Sequence, residues 1–346
     1  MTITTAHLEK TGFFEVPLPR PRGPLSALVV HALQGPPRAG AVPAGPAADG
    51  LDGADPFGED IQLALYVCYE LHYRGFVGVD PAWEWEPDLL KLRRDLEDVF
   101  LRGLRAEVAG GDDVGAALGE LLVEDLDVPG VSHHLKDRGE WWQLREYLVH
   151  RSIYHLKEAD PQAWVIPRLQ GQAKASLVAV EFDEYGGGRA DRMHSRLFAE
   201  LMEEAGLDSG YLYYLEIAPA VALAPVNMMS LFGLHRALRG ALVGHFAAVE
   251  ITSAPGARRM AQALERFGAG RYSTVFYTEH IEADAVHEQV LRRDVVGDLL
   301  DREPELAADV VFGVQATELV EERLGSHLLE CWRDGRGSLL SELPRR

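Results

Sequence analysis

The sequence predicts an all-α protein, and three observations carry that expectation. From Glu59 onward, apolar residues recur three and four apart, the spacing of a helix that buries one face. Clusters of Gly, Pro and Asp divide these runs at the positions where helices start and stop. No stretch alternates apolar and polar residues with the period of two that a half-buried strand needs, and no unit repeats at a fixed period. The expected organisation is a Pro/Gly-rich, mostly irregular extension over 1–57 and one large helical bundle over 58–346.

The extension holds nine of the 19 prolines, between Pro17 and Pro56. Proline fixes φ and removes a backbone donor, so long helices are excluded there. The apolar run Leu25–Leu33 reads equally as a strand or a turn of helix. In the bundle, Ile61, Leu65, Cys68 and Leu71 trace one stripe. Pro87 stands where proline opens a helix, with Leu90, Leu92, Val99, Leu101 and Leu104 behind it. A Gly-Gly-Asp-Asp break at 110–113 precedes a helix through Leu122, and a turn at Pro129-Gly130 precedes one over 140–160. Asp160-Pro161 reads as an N-cap with proline at the first helical position. Further helices are expected over 168–185, from 191 to Gly206, and over 224–238, 240–252, 256–267, 272–291 and 304–334.

Composition narrows the function. A formal net charge of −20 opposes binding to nucleic acid or an anionic membrane, since both need a basic surface. Two cysteines, Cys68 and Cys331, support neither a disulfide framework nor a CxxC zinc site. The N-terminus lacks a basic start followed by an apolar stretch, and no apolar run reaches the roughly 18 residues of a membrane span. A cytoplasmic protein acting on a small molecule is the expectation.

The chemistry concentrates in Tyr277–Val290. There His280, Asp284 and His287 stand at i, i+4 and i+7, within a sector of roughly 60° on a helix. Two neutral nitrogen donors and one carboxylate on a single face suit a transition metal. Further donors lie upstream. Glu181 and Glu184 end one helix, Gly186-Gly187-Gly188 turns the chain, and His194 opens the next, so a tight turn can bring a carboxylate and an imidazole together. Glu158 in YHLKEAD is another carboxylate source, with His155 as a rival or supporting partner. The run from Pro225, with Met228, Met229, Phe232, His235, His245, Phe246 and Glu250, is either plain core or the wall of a pocket. Its Gly233, Gly240 and Gly244 permit close helix contact. Tyr185 and Tyr277, beside ligand segments, are candidate hydrogen-bond donors.

Together these residues give the order Glu158, Glu184, His194, His280-x3-Asp284-x2-His287, within the words YHLKEAD, DEYGGGR, RMHSRLFAE and EADAVHEQV. That pattern resembles the heme-oxygenase-like diiron oxidases, also described as iron-containing redox enzymes, over roughly residues 60–334. The resemblance implies a heme-oxygenase-like helical bundle without heme. It also implies two irons per chain, cycling between Fe(II) and Fe(III), with O2 as co-substrate. By that analogy Glu158, His194 and His287 hold one iron, His280 and Asp284 the other, and Glu184 is shared. The activity implied is oxidation of a small organic substrate by N-oxygenation, desaturation or C–C cleavage. It leaves room for an external electron donor and a homodimer. The alternative on the same scaffold is a metal-free, thiaminase-like hydrolase or ligand-binding protein, which would need a cysteine or acid in the pocket.

Overall fold

The computed structural model describes residues 16–38, 40, 42, 51, 53–123 and 130–343, apart from the side chains at 271–272 and 282–286. Among the described residues every regular element is helical. The chain divides into two compact units, Met1–Phe100 and Leu101–Arg346.

In the first unit, the undecided run becomes helix α1 (Pro24–Leu33), with Leu25, Val29, Val30 and Leu33 buried. It packs on α2 (Glu59–Glu70). Pro24 sits at the first helical position, where its missing N–H costs nothing. The cap comes from 35 residues away: Asp60 accepts from the Leu25 and Ser26 amides at 2.9 and 2.7 Å and from Ser26 Oγ at 2.6 Å. That distant carboxylate is why the local sequence left the choice open. α3 (Pro87–Glu107) begins at its proline and buries Leu92, Val99 and Leu104 as expected, but Leu89, Leu96 and Phe100 complete its core face in place of the expected Leu90 and Leu101.

The second unit contains the candidate site. It runs α4 (Val114–Glu120), α5 (Val131–Asp137), α6 (Trp141–His155), α7 (Asp160–Ala163), α8 (Gly171–Glu184), α9 (His194–Glu204), α10 (Ala220–Leu234), α11 (Arg239–Arg266), α12 (Val275–Val290), α13 (Gly297–Arg302) and α14 (Ala307–Arg333). The seven-residue α5 was not expected. Asp160 is not the cap that its position suggests. Ala159 holds that place with φ 73°, and the Asp160 carboxylate instead accepts from the Tyr185 hydroxyl at 3.0 Å.

Two prolines lie inside helices and stop neither. α10 starts five residues before Pro225, and its side chains are buried almost all round. α11 passes through Pro255, where two helices were expected. Near that break, Thr252 and Ser253 turn their hydroxyls back on the carbonyls of Ala248 and Glu250. Burial of Ile251, Ala257 and Met260 holds both halves in the core, and packing of this kind overrides the local penalty.

α11 lies along α14 and along α12. The α11–α14 seam is a close backbone contact. A Cβ at Gly244 would fall on the Val310 carbonyl, and one at Gly313 on the Ala241 carbonyl. Gly240 meets Asp309 across the same seam, and Gly233 of α10 meets the Pro161 carbonyl. After α12 the helix widens into a π-helical stretch, Leu291–Val296, before α13. No single described helix is long and apolar enough to cross a membrane; α10 and α11 reach that length only as a pair bent by 108°.

Candidate metal centre

Five helical segments bring their carboxylates and imidazoles together. α8 ends at Glu184, and Gly186, Gly187 and Gly188 all take positive φ, reversing the chain so that His194 becomes the first residue of α9. A Cβ at Gly186 would meet the backbone of Arg192 and Met193, so the turn needs glycine for space as well as φ. The result is His194 Nδ1 at 2.7 Å from Glu184 Oε2, both side chains about 95% buried. Close as they are, His194 Nδ1 makes no hydrogen bond.

Glu158, in the turn that extends α6, is also buried. Its Oε1 accepts from His155 Nδ1 at 2.7 Å and lies 3.7 Å from His280 Nε2, while its Oε2 has no partner. Burial alone would raise the Glu158 carboxyl, but the His155 and His280 imidazoles outweigh it and hold the group well below the usual carboxylate range. His280 donates from Nδ1 to the Phe276 carbonyl at 2.7 Å. That bond selects the tautomer whose Nε2 lone pair faces the cluster, as a metal-binding imidazole requires. Its ring lies 4.3 Å from that of His194. Glu158, Glu184, His194 and His280 thus offer ligand atoms all within 4.8 Å of one another.

A second group forms on the other side of Glu184 with Glu250 of α11 and His287 of α12, within the same limit. His287 Nδ1 lies 3.2 Å from Glu250 Oε2 and 3.8 Å from Glu184 Oε1, while its Nε2 faces Asp183 Oδ2 at 3.2 Å. Burial opposes the imidazolium, but Glu250, Asp183 and Glu184 prevail and raise the His287 pKa to about 9. Burial also raises Glu250, against the pull of His287. Glu181, one turn before Glu184, is buried with neither oxygen bonded, and its carboxyl is pushed up to about 9 by that burial and by Glu184, Glu250 and Asp160.

Of the six residues expected to converge, Glu158, Glu184, His194, His280 and His287 line these two groups. The side chain of Asp284 lies outside the described residues. The grouping differs from the analogy: His280, not His287, accompanies Glu158 and His194, and His287 stands with Glu250. Glu250 was read as core or pocket wall, not as a ligand. Its signal is a lone carboxylate ending the apolar run of a buried helix, where an unpaired charge is costly.

The donors fit a metal. Two groups of buried imidazoles and carboxylates, with an unbonded His194 Nδ1 and Glu158 Oε2, form an unbalanced polar cluster that cations would complete. The cluster opens on a cavity of about 590 Å³ whose wall includes Glu158, Glu184, Glu250 and His280. Met229, His245 and Phe246 line it, as the pocket reading expected, whereas Met228, Phe232 and His235 do not. Tyr277 reaches the wall; the Tyr185 hydroxyl is committed to Asp160. Neither cysteine is in the lining.

Helices that wrap a buried carboxylate–imidazole cluster define a class, and comparison with known proteins agrees. The chain belongs to the iron-containing redox enzyme family, whose family model matches residues 145–322, a span that includes both ligand groups. Its all-α fold is of the heme-oxygenase type. The chain is also similar to the nitrosourea synthase of Streptomyces achromogenes subsp. streptozoticus, at 26% identity over 179 residues. The match takes in 51% of this chain and 38% of that protein.

Proposed function

We propose that this protein is a non-heme diiron oxidase or oxygenase that uses O2 to oxidise a small organic substrate in the cavity beside the cluster. One observation carries the reading: the two oxygens of Glu184 face different groups, Oε2 toward His194 and Oε1 toward His287. Glu158, Glu184, His194 and His280 would hold one iron, and Glu184, Glu250 and His287 the other. Asp284 stays a proposed ligand on its spacing. Mixed imidazole and carboxylate ligation leaves iron able to bind and reduce O2.

The protein's own groups prepare the site. The Phe276 carbonyl sets the His280 tautomer, His155 supports Glu158, and Asp183 holds the far nitrogen of His287. Met229, Phe246, Phe276 and Tyr277 give the cavity apolar walls that limit water around the reacting groups. Of the three oxidation types, we favour oxygenation at nitrogen, because the similar protein is named for a nitrosourea. The metal-free reading is the less favoured one: Cys68 and Cys331 are both buried outside the cavity wall, and the wall acids Glu158, Glu184 and Glu250 stand among imidazoles in the two ligand groups.

Iron analysis after anaerobic Fe(II) loading tests the proposal. The expected result is two irons per chain, with O2 consumed when a panel of amines and amino acids is supplied. Unchanged iron content after combined His280→Ala and His287→Ala substitution would sink it.

A further inference from the structure

The cavity holds an ion pair that the metal chemistry does not use. Arg151 of α6 and Glu321 of α14 both line it, joined by two parallel bonds, Nη1 to Oε1 at 2.9 Å and Nη2 to Oε2 at 2.6 Å. Burial would raise the Glu321 carboxyl, but Arg151 prevails and lowers it, so the pair is ionised. The guanidinium also lies over the Tyr147 ring, 5.4 Å from its centroid. The same wall carries Val226, Met229, Phe246 and Leu324, the ionisable Arg259 and Glu322, and His245, which burial holds neutral with its pKa lowered to about 4.

The pair is only partly withdrawn from water, with the Arg151 side chain 23% and the Glu321 side chain 37% exposed, and a pair in such a setting contributes little net stability. It does preserve one positive and one negative site side by side in the cavity wall. A ligand that carries only one charge would leave the other partner without its match in a partly exposed wall, which is unfavourable. A ligand that carries both, on neighbouring atoms, exchanges one pair for two. The planar fork of arginine matches a carboxylate bidentately. An ammonium on the adjacent carbon would then face Glu321.

Position supports the same reading. Arg151, His155 and Glu158 follow at i, i+4 and i+7 along α6 and its extending turn. The pair therefore stands about 10 Å along the helix from the ligand cluster. A ligand gripped by its charged head at the pair can direct a chain of several atoms to the irons. The pair is not needed as a helix clamp: α14 packs along α11, and α6 packs against α9 and α10.

We propose that Arg151 and Glu321 form the head-group clamp for a free α-amino acid, Arg151 taking its carboxylate and Glu321 its ammonium, with the side chain extending to the metal-ligand carboxylates. The clamp rests on the cavity being the substrate site of the proposed oxidase.

The test uses the full-length chain, loaded anaerobically with Fe(II), and begins with thermal shifts from each common free L-amino acid. The amino acid that stabilises most is taken to calorimetry beside its own carboxamide and its N-acetyl derivative. Each derivative should bind about 100-fold more weakly than the parent. Arg151→Gln should abolish the preference for acid over amide while keeping the preference for free amine. Glu321→Gln should do the reverse. The derivatives probe wild-type protein, so the answer survives a variant that fails to fold. Equal binding of parent and derivatives overturns the clamp, as does binding of a simple amine or a fatty acid with no free amino acid bound. Two irons without amino acid binding would sink the clamp alone; amino acid binding without iron would sink the oxidase reading alone.

Discussion

His287 shows how one residue couples the site to pH. In the metal-free protein both its nitrogens face carboxylates, and its pKa is raised to about 9. A ligating nitrogen must be free of its proton, so metal uptake at pH 7 should release at least one proton per chain. Calorimetry in buffers of different ionisation enthalpy measures that number, and affinity should climb with pH until about 9. Glu181 gives an opposite signature in stability. Its folded pKa of about 9 lies above the ordinary 4.5, so ionisation adds no cost at low pH and a growing one as pH rises between those values. Wild-type metal-free protein should therefore lose stability relative to Glu181→Gln by up to about 1.4 kcal/mol per pH unit across that window. Denaturant unfolding at a series of pH values reads the slope, and parallel curves would contradict the assignment. At this scale the sequence was informative where spacing carried the signal: His280 and His287 share a helical face, and the glycine turn aims His194. Glu250 escaped because its partners come from helices 66 and 37 residues away, at Glu184 and His287, and no local pattern joins them.

Helix ends and breaks were legible to the extent that their causes were local. Pro87 opens α3 and the glycines close α8, since both act through their own φ and donors. Pro255 was misread as a boundary because the burial that carries α11 through it is tertiary. α1 stayed ambiguous for the same reason, its cap being Asp60. The α11–α14 seam gives the element-level prediction. Gly244→Ala or Gly313→Ala should each destabilise by about 1–3 kcal/mol or more, since the added methyl meets a backbone carbonyl that cannot move aside. For the 346-residue chain this is a fall in Tm of several degrees in a thermal scan. Gly256→Ala is the control: it lies in the same helix with nothing within 4 Å of the added atom, and should leave Tm nearly unchanged.

Across the whole molecule, the all-α class followed from periodicity alone, while the gathering of the donors required knowledge of which helices pack. Glu158, Glu184, Glu250 and His287 come from α6, α8, α11 and α12, so a metal that binds only when these are assembled binds the folded state. Anaerobic Fe(II) in excess should raise Tm, with stabilisation of about 2.7 kcal/mol at a hundred times the dissociation constant. Glu184→Ala, which removes the residue common to both groups, should erase most of the rise, and differential scanning calorimetry would measure it.

Glu250 stands six residues beyond Gly244 on the same rigid rod, less than two turns from the place where α11 touches α14 without a side chain between them. That contact acts as a fulcrum. A single methyl inserted there would tilt the rod, and the displacement would arrive at the carboxylate as a change in reach. Mutations at a glycine with no ligand of its own would then register as altered metal occupancy at the proposed site of Glu250 and His287.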